Sequence, residues 1–216
     1  MQIREARLLY YPICPFARKV RFWMHESGVA FQAEESDMPY VCENDRARYG
    51  EYKALPILIC ENGDMLSGSA QILAYYNSKK QTGEVLRLHE YFDAVFWAQI
   101  TYPVLNMKIF SMLDKKARPN SDAVREAVRK LDEHMEYIAW LMERREWLAG
   151  DELSLVDMSA AAHISCVDYF SYIAWEKYPE AKSWYMRIKS RPAFAGILSD
   201  KIRMYAPAEH YPILDF

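Results

Sequence analysis

Arg7-Leu8-Leu9-Tyr10-Tyr11-Pro12-Ile13-Cys14-Pro15-Phe16-Ala17-Arg18 carries a short apolar and aromatic run directly into a turn and then a helix. Residues 7–11 have the composition of a strand bounded by turn residues. Pro15 suits the first helical position, because its missing N–H would have no intrahelical partner there. The helix starts at Pro15 or Phe16 and runs over Val20, Phe22, Trp23 and His25, with Gly28 as a left-handed stop. Phe31 to Glu34 reads as a second strand. A strand, a helix and a strand joined by a right-handed crossover make a parallel pair.

Downstream, a short helix is expected around Glu43 to Tyr49, and Leu55-Pro56 leads into the strand Ile57-Leu58-Ile59-Cys60. Asn62-Gly63 signals a two-residue hairpin with positive φ at both central residues, and Asp64 to Leu66 returns. With a helix over Ser69 to Ser78, residues 1–80 follow the thioredoxin-like α/β plan. From Gly83 the period becomes helical. Val85, Leu88, Tyr91, Phe92, Val95, Phe96, Ile100 and Val104 mark one face, and Pro103 is expected to kink or break that helix. A second helix covers Ala123 to Glu143 on Val124, Val128, Leu131, Met135, Ile138 and Leu141. Met158 to Tyr172 and Ala181 to Lys189 complete an all-α domain over residues 84–205, leaving 206–216 as a tail.

Ser154-Leu155-Val156-Asp157 has capping-box spacing, with Asp in place of Glu. Ser154 caps the incoming amides while the Asp157 carboxylate returns to the Ser154 N–H. The helix it starts is small or apolar on nearly every side, which predicts a place at the domain centre.

A net charge of −3, with 27 Lys and Arg against 30 Asp and Glu, gives no basic footprint for nucleic acid. The first residues, Met1-Gln2-Ile3-Arg4-Glu5, put charge where a signal peptide needs an apolar core, and no later stretch is apolar enough to cross a bilayer. A cytoplasmic protein without membrane insertion is the expectation. Cys14, Cys42, Cys60 and Cys166 are scattered, with neither disulfide density nor metal spacing, and read as free thiols. No metal site is expected.

Three motifs together resemble the glutathione S-transferase family over almost the whole chain. They are Tyr11 to Arg18, Leu55-Pro56 with Ser67-Gly68-Ser69, and the capping box at Ser154 and Asp157. The resemblance implies a cis bond at Leu55-Pro56 that exposes backbone to the cysteinyl part of glutathione. It also implies that Ser69 binds the γ-glutamyl carboxylate, that no cofactor is required beyond glutathione as a ligand, and that the protein is a homodimer. A narrower resemblance, to the transferase-like division proteins of alphaproteobacteria, rests on His134 to Leu141, Trp147 to Asp151, Lys189 to Phe194 and His210-Tyr211-Pro212-Ile213-Leu214-Asp215-Phe216. It implies binding to filaments of the tubulin-like division protein FtsZ.

Cys14 at a helix start has N–H groups and a helix dipole that favour a thiolate. It reads either as the nucleophile of a cysteine-type transferase or thiol-disulfide reductase, or as a turn thiol without a reaction. Ala17 stands where a second thiol would be, which excludes a dithiol cycle. Gly68 stands where the transferase pattern has an acidic or amide residue, and Gly50 to Ala54 replace its usual approach to Leu55. An unpaired ammonium or carboxylate there would cost about 1–3 kcal/mol. Arg18, Lys19 and Arg21 read as a solvated face, with Arg18 alternatively facing the cleft; His163 reads as a hydrogen-bonded core histidine before a ligand or base, and Tyr10 and Tyr11 as packing residues that could instead hydrogen-bond a thiol. In the tail, beside His210 and the charged Asp215, Tyr211, Ile213, Leu214 and Phe216 are apolar, where a disordered segment would ordinarily be more polar. They either dock on their own domain or present anchors to a partner. The reading that joins these features is a weakly catalytic or non-catalytic FtsZ-binding division regulator, with a glutathione-dependent enzyme using Cys14 as the alternative.

Overall fold

The computed structural model describes residues 5–40, 49, 54–77, 83–113 and 118–216, and it divides into two compact units, Met1–Lys80 and Gln81–Phe216. The helix expected around Glu43 lies outside the described residues apart from Tyr49.

In the first unit a four-stranded sheet has the order β2-β1-β3-β4, with β1 at Ala6–Tyr10, β2 at Phe31–Glu35, β3 at Ile57–Ile59 and β4 at Met65–Ser67. β1 pairs parallel with β2, Ala6 opposite Phe31, and antiparallel with β3, Leu8 opposite Leu58. The parallel pair requires a crossover, and α1 (Pro15–Glu26) supplies it. Pro15 opens that helix. At its other end Gly28 has φ 68°, which lets Val29 N–H reach back to Met24 O at 2.9 Å.

The turn after β3 differs from the expectation. Gly63 has φ 93°, but Asn62 does not join it in the left-handed region. Gly63 N–H closes on Cys60 O at 2.9 Å, and the Asn62 carboxamide oxygen accepts from the Asp64 amide at 3.0 Å. The side chain of Asn62 thus takes over a turn contact, and only the glycine needs positive φ. The result is the longer hairpin loop in which a left-handed glycine follows the turn. Helix α2 (Ser69–Tyr76) follows β4.

The second unit is helical. Its first rod runs without interruption through α3 (Gly83–Glu90), a wide π-helical stretch (Tyr91–Thr101), α4 (Tyr102–Leu105), a second wide stretch (Asn106–Phe110) and α5 (Ser111–Leu113). Pro103 therefore does not end the helix. The stretch preceding it is bonded i to i+5 rather than i to i+4, and Thr101 and Tyr102 keep right-handed helical dihedrals. Leu88, Phe92, Phe96, Ile100 and Val104 are buried as the periodicity requires, while Val95 faces outward. Helix α6 (Ser121–Met142) begins at Asn120, whose side chain accepts from Ala123 N–H at 3.0 Å.

The central helix is α7 (Leu155–Asp168), in which every residue from Val156 to Asp168 is buried. Its small side chains leave little bulk to hold neighbours apart. Polar residues of the wide stretch meet it directly: Thr101 Oγ1 lies 3.0 Å from His163 Nδ1, and Ser159 donates to Asp93. A parallel arrangement places the Tyr91 hydroxyl 2.5 Å from His134 Nδ1 and His134 Nε2 3.2 Å from Gln99 Oε1. Burial pulls His134 down to about 4, so the ring is neutral at physiological pH. A short 3₁₀ turn (Trp175–Lys177), α8 (Pro179–Lys189) and α9 (Pro192–Leu198) complete the unit.

Both halves of the capping box form. Asp157 accepts from the Ser154 amide at 3.0 Å and its hydroxyl at 2.8 Å, while Ser154 Oγ accepts from Val156 N–H at 3.2 Å. The other Asp157 oxygen accepts from Leu148 N–H at 2.8 Å and Trp184 Nε1–H at 3.0 Å. Ser154→Ala removes one cap and is expected to cost about 1 kcal/mol. Asp157→Ala strands the buried Leu148 amide and Trp184 indole donors and the half-buried Ser154 amide, and is expected to cost about 3 kcal/mol or more. Urea denaturation of the two variants checks the ranking, which equal midpoints would contradict.

Candidate functional site

Two of the three motifs, the Cys14 helix start and Leu55-Pro56 with Ser67-Gly68-Ser69, meet in the first unit. Cys14 is the residue before Pro15, with an extended backbone, and its N–H donates to Tyr11 O at 2.9 Å. The Leu55-Pro56 bond is cis, and the Leu55 carbonyl lies 4.0 Å from Cys14 Sγ. Ser69 is the first residue of α2 and is buried. Gly68 N–H donates to Pro56 O at 2.8 Å, which ties the proline turn to the start of that helix. Gly68 has φ 83°, a conformation that strains any residue with a Cβ, so the missing side chain has a backbone reason.

Ser67, already part of the Ser67-Gly68-Ser69 motif, and Gln71, which sequence reasoning missed, extend this arrangement. Ser67 Oγ donates to Ala54 O at 3.0 Å, and Ser67 N–H donates to the Gln71 side-chain oxygen at 3.2 Å. Gln71 follows Ser69 by two residues on a short helix, a spacing with no motif to flag it.

At Cys14 the two electrostatic influences oppose each other. Burial pushes the thiol upward, and the N–H groups of Ala17 and Phe16 with the charges of Arg18 and Lys19 offset this only in part. The helix-start argument identified a real stabilisation of the thiolate but left out the larger cost of desolvation. Tyr11 beside it is pushed up to about 12 by burial and by Glu35 and Asp37. Among the described residues Cys14, Cys60 and Cys166 form no disulfide, Cys42 lies outside them, and no group of three metal-ligating side chains is found.

The solvated face expected of Arg18, Lys19 and Arg21 does not form, because all three are buried. Arg18 Nε–H donates to Pro12 O at 2.7 Å, Lys19 Nζ lies 5.7 Å from the Phe16 ring, and the Arg21 guanidinium lies 4.2 Å from the Tyr10 ring. Long aliphatic stems can cover apolar surface while their charged ends find carbonyls and ring faces. His163 is a buried core histidine, and Tyr10 and Tyr11 pack inside.

The second candidate region is the tail, which docks on its own helical unit. Tyr211 is fully buried, with its ring 5.1 Å from that of Tyr169 and its hydroxyl 3.4 Å from Ile197 O. His210 Nε2 lies 2.8 Å from Asp168 Oδ1, which also accepts from Trp175 Nε1–H at 2.7 Å. Phe216 lies against the rings of Trp175, Tyr185 and His210 at 5.3–6.3 Å, with Lys189 Nζ 4.0 Å and Lys182 Nζ 4.8 Å from its centroid. Ile213 and Leu214 remain 46% and 45% exposed, and Asp215 is exposed beside them. His210, Tyr211 and Phe216 therefore face their own domain, and the outward members are Leu214 and Asp215.

Comparison with known proteins gives both units the same parentage. Residues 13–79 match the model of the glutathione S-transferase N-terminal domain, and residues 101–192 match that of the C-terminal domain. FtsZ-localized protein A of Caulobacter vibrioides is 31% identical over 98% of this chain and 99% of its own length. The chain belongs to the glutathione S-transferase family.

Among solved members of that family, a glutathione S-transferase from Sinorhizobium meliloti superposes with a TM-score of 0.89 at 31% identity, covering 99% of this chain and all of the other. FzlA from C. crescentus gives 0.86 at 30% identity, with 99% and 100% covered. In transferases glutathione is a substrate rather than a cofactor. Among the described residues no helix is long and apolar enough to cross a membrane.

The raised thiol makes a reactivity prediction. Cys14 is expected to alkylate with iodoacetamide at pH 7 several-fold more slowly than free cysteine, its rate still climbing above about pH 9.5, where free cysteine has levelled off. Mass mapping of the 7–18 peptide measures it, and labelling at the free-cysteine rate would contradict the burial argument.

Proposed function

We propose that this member of the transferase family is a non-catalytic or weakly catalytic regulator of bacterial cell division. It acts in the cytoplasm as a homodimer, and its helical unit and tail engage FtsZ filaments. The observation that carries this reading is the end-to-end similarity to FtsZ-localized protein A, at 31% identity. The outward position of Leu214 and Asp215 on an otherwise docked tail supports it. A short exposed apolar and acidic pair held by a folded domain needs little ordering when it meets a partner. Two copies per dimer raise the effective affinity for a repeating filament.

Weak catalysis follows from the first unit's chemistry. A thiol pushed upward is a poor nucleophile near neutrality, and Gly68 offers no side chain to the γ-glutamyl group. One observation favours an enzymatic reading beside the binding role: Cys14, the cis Leu55-Pro56 bond and Ser69 converge within one unit. That reading is a glutathione-dependent transferase or thiol-disulfide reductase, with glutathione held at Leu55, Pro56 and Ser69.

Co-sedimentation with FtsZ polymers tests the proposal. The double variant Leu214→Ala with Asp215→Lys is expected to lower pelleting affinity about tenfold or more, with the far-ultraviolet spectrum unchanged. Unchanged pelleting would remove the tail from the interface. Absence of pelleting by the parent chain would remove the division role. Calorimetry with millimolar glutathione decides the enzymatic reading: heat that is lost in Ser69→Ala supports it, and no heat discards it.

A further inference from the structure

Lys189 is the last residue of α8, where the helix dipole favours a cation, but at 1% exposure it is not a solvated surface charge. Its ammonium is turned onto the tail. It donates to the carbonyls of His210, at 3.3 Å, and of Ile213, and it lies over the Phe216 ring at 4.0 Å. Those two carbonyls are three residues apart, and the turn between them is closed by Ile213 N–H donating to His210 O at 3.0 Å. The groups facing Lys189 are Asp168 on α7, Lys182 and Tyr185 on α8, and His210 on the tail. Burial and Lys182 pull its ammonium down to about 8, against the attraction of Asp168.

A second tie lies beside it. His210 reaches the fully buried Asp168, whose same oxygen holds Trp175, one wall of the Phe216 pocket. The tail is thus fixed on both sides of residues 211–213. Leu214 and Asp215 fall just outside the turn that Lys189 closes, while Phe216 returns to the surface of the unit.

We propose that Lys189 is the positioning residue of the tail: by bridging the carbonyls of His210 and Ile213 beneath the Phe216 ring, it holds the turn that aims Leu214 and Asp215 at the partner. The second half of this statement rests on the proposed FtsZ contact. The first half concerns the free protein alone, so the two are separable by experiment. Lys189 touches no partner in this scheme and acts through the backbone it holds.

The test uses the full chain and two readouts. Amide exchange in the free protein reports the turn through the Ile213 N–H, with the amides of α7 as the control for global stability. In Lys189→Met, exchange at Ile213 is expected to rise about tenfold or more while α7 is unchanged. Lys189→Arg, which keeps the charge and paired donors, is expected to recover most of the protection. Pelleting with FtsZ is expected to weaken about tenfold in the Met variant, to recover in the Arg variant, and to show no further loss when Lys189→Met is added to Leu214→Ala with Asp215→Lys.

Should Lys189→Met fold poorly, His210→Ala loosens the other tie from a partly exposed position and is expected to speed exchange at Tyr211 and Ile213. Unchanged Ile213 protection in these variants overturns the proposal, as does an Arg variant as loose as the Met variant. Loosened exchange with undiminished pelleting also overturns it, provided that the Leu214 and Asp215 substitutions do weaken pelleting. If those substitutions have no effect either, it is the tail contact with FtsZ that fails.

Discussion

The helical unit is organised around one buried carboxylate. Asp157 takes donors from Ser154, from the Leu148 amide in the loop before α7, and from the Trp184 indole on α8. A carboxylate so far from water persists only when its lone pairs are satisfied, and here four contacts do so. This requirement joins the loop before α7, the start of α7 and α8 at one point, alongside the Arg187 contacts to Glu146 O and the Trp147 ring. It fixes where α7 begins and how the preceding loop meets it, and it turns one face of α8 towards the central helix. The small residues of α7 then permit close packing, and the polar side chains of the wide helix before Pro103 find their partners on it. On that frame α8 also carries Lys189, so the tail's anchorage depends on the same carboxylate at one remove.

Much of this architecture was readable from local rules, because local rules decide it. The proline after Cys14, the glycine after α1 and the Ser154 to Asp157 spacing each answer a backbone demand within a few residues. Where the reading failed, a distant or side-chain contact had replaced the local one. Asn62 leaves positive φ to Gly63 because its own carboxamide bonds to Asp64. Pro103 is absorbed because the helix has already widened, a change that apolar periodicity cannot register. Arg18, Lys19 and Arg21 are inside because their stems pack and their heads find Pro12 O and aromatic faces. Charge alone marked them as surface residues. Lys189 had only faint signals, its place in the Lys189 to Phe194 resemblance and its position four residues after Tyr185 on the apolar face of α8.

In the proposed weakly catalytic reading, the candidate site in the first unit keeps the geometry of the family while its chemistry is subdued. The cis proline, Ser69 and the cysteine-tipped helix are all formed, and Gly68 is tied to Pro56 as the turn requires. Two changes oppose turnover. Desolvation at Cys14 outweighs the amides that would stabilise a thiolate, and a glycine occupies the strained position from which a polar side chain would reach the ligand. Neither change disturbs the fold, since a half-buried thiol packs as a small apolar group and a glycine relieves strain. The scaffold can thus persist without the reaction.

A tail gains order only where contacts outweigh the roughly 1–2 kcal/mol of backbone entropy lost per residue fixed. Burying Tyr211 secures that residue and its immediate neighbours, but four residues lie between it and Phe216, and Ile213 and Leu214 stay half in solvent. Between two aromatic anchors the exposed segment would be free to adopt many turns. A cation that bridges two of its carbonyls removes that freedom without covering the side chains outside the turn. Apolar burial could not do this, because any contact strong enough to order Leu214 by burying it would withdraw it from a partner. Holding an exposed segment by its backbone is the physical solution to presenting it, and a buried lysine with several donors and an aromatic ring above it meets that requirement.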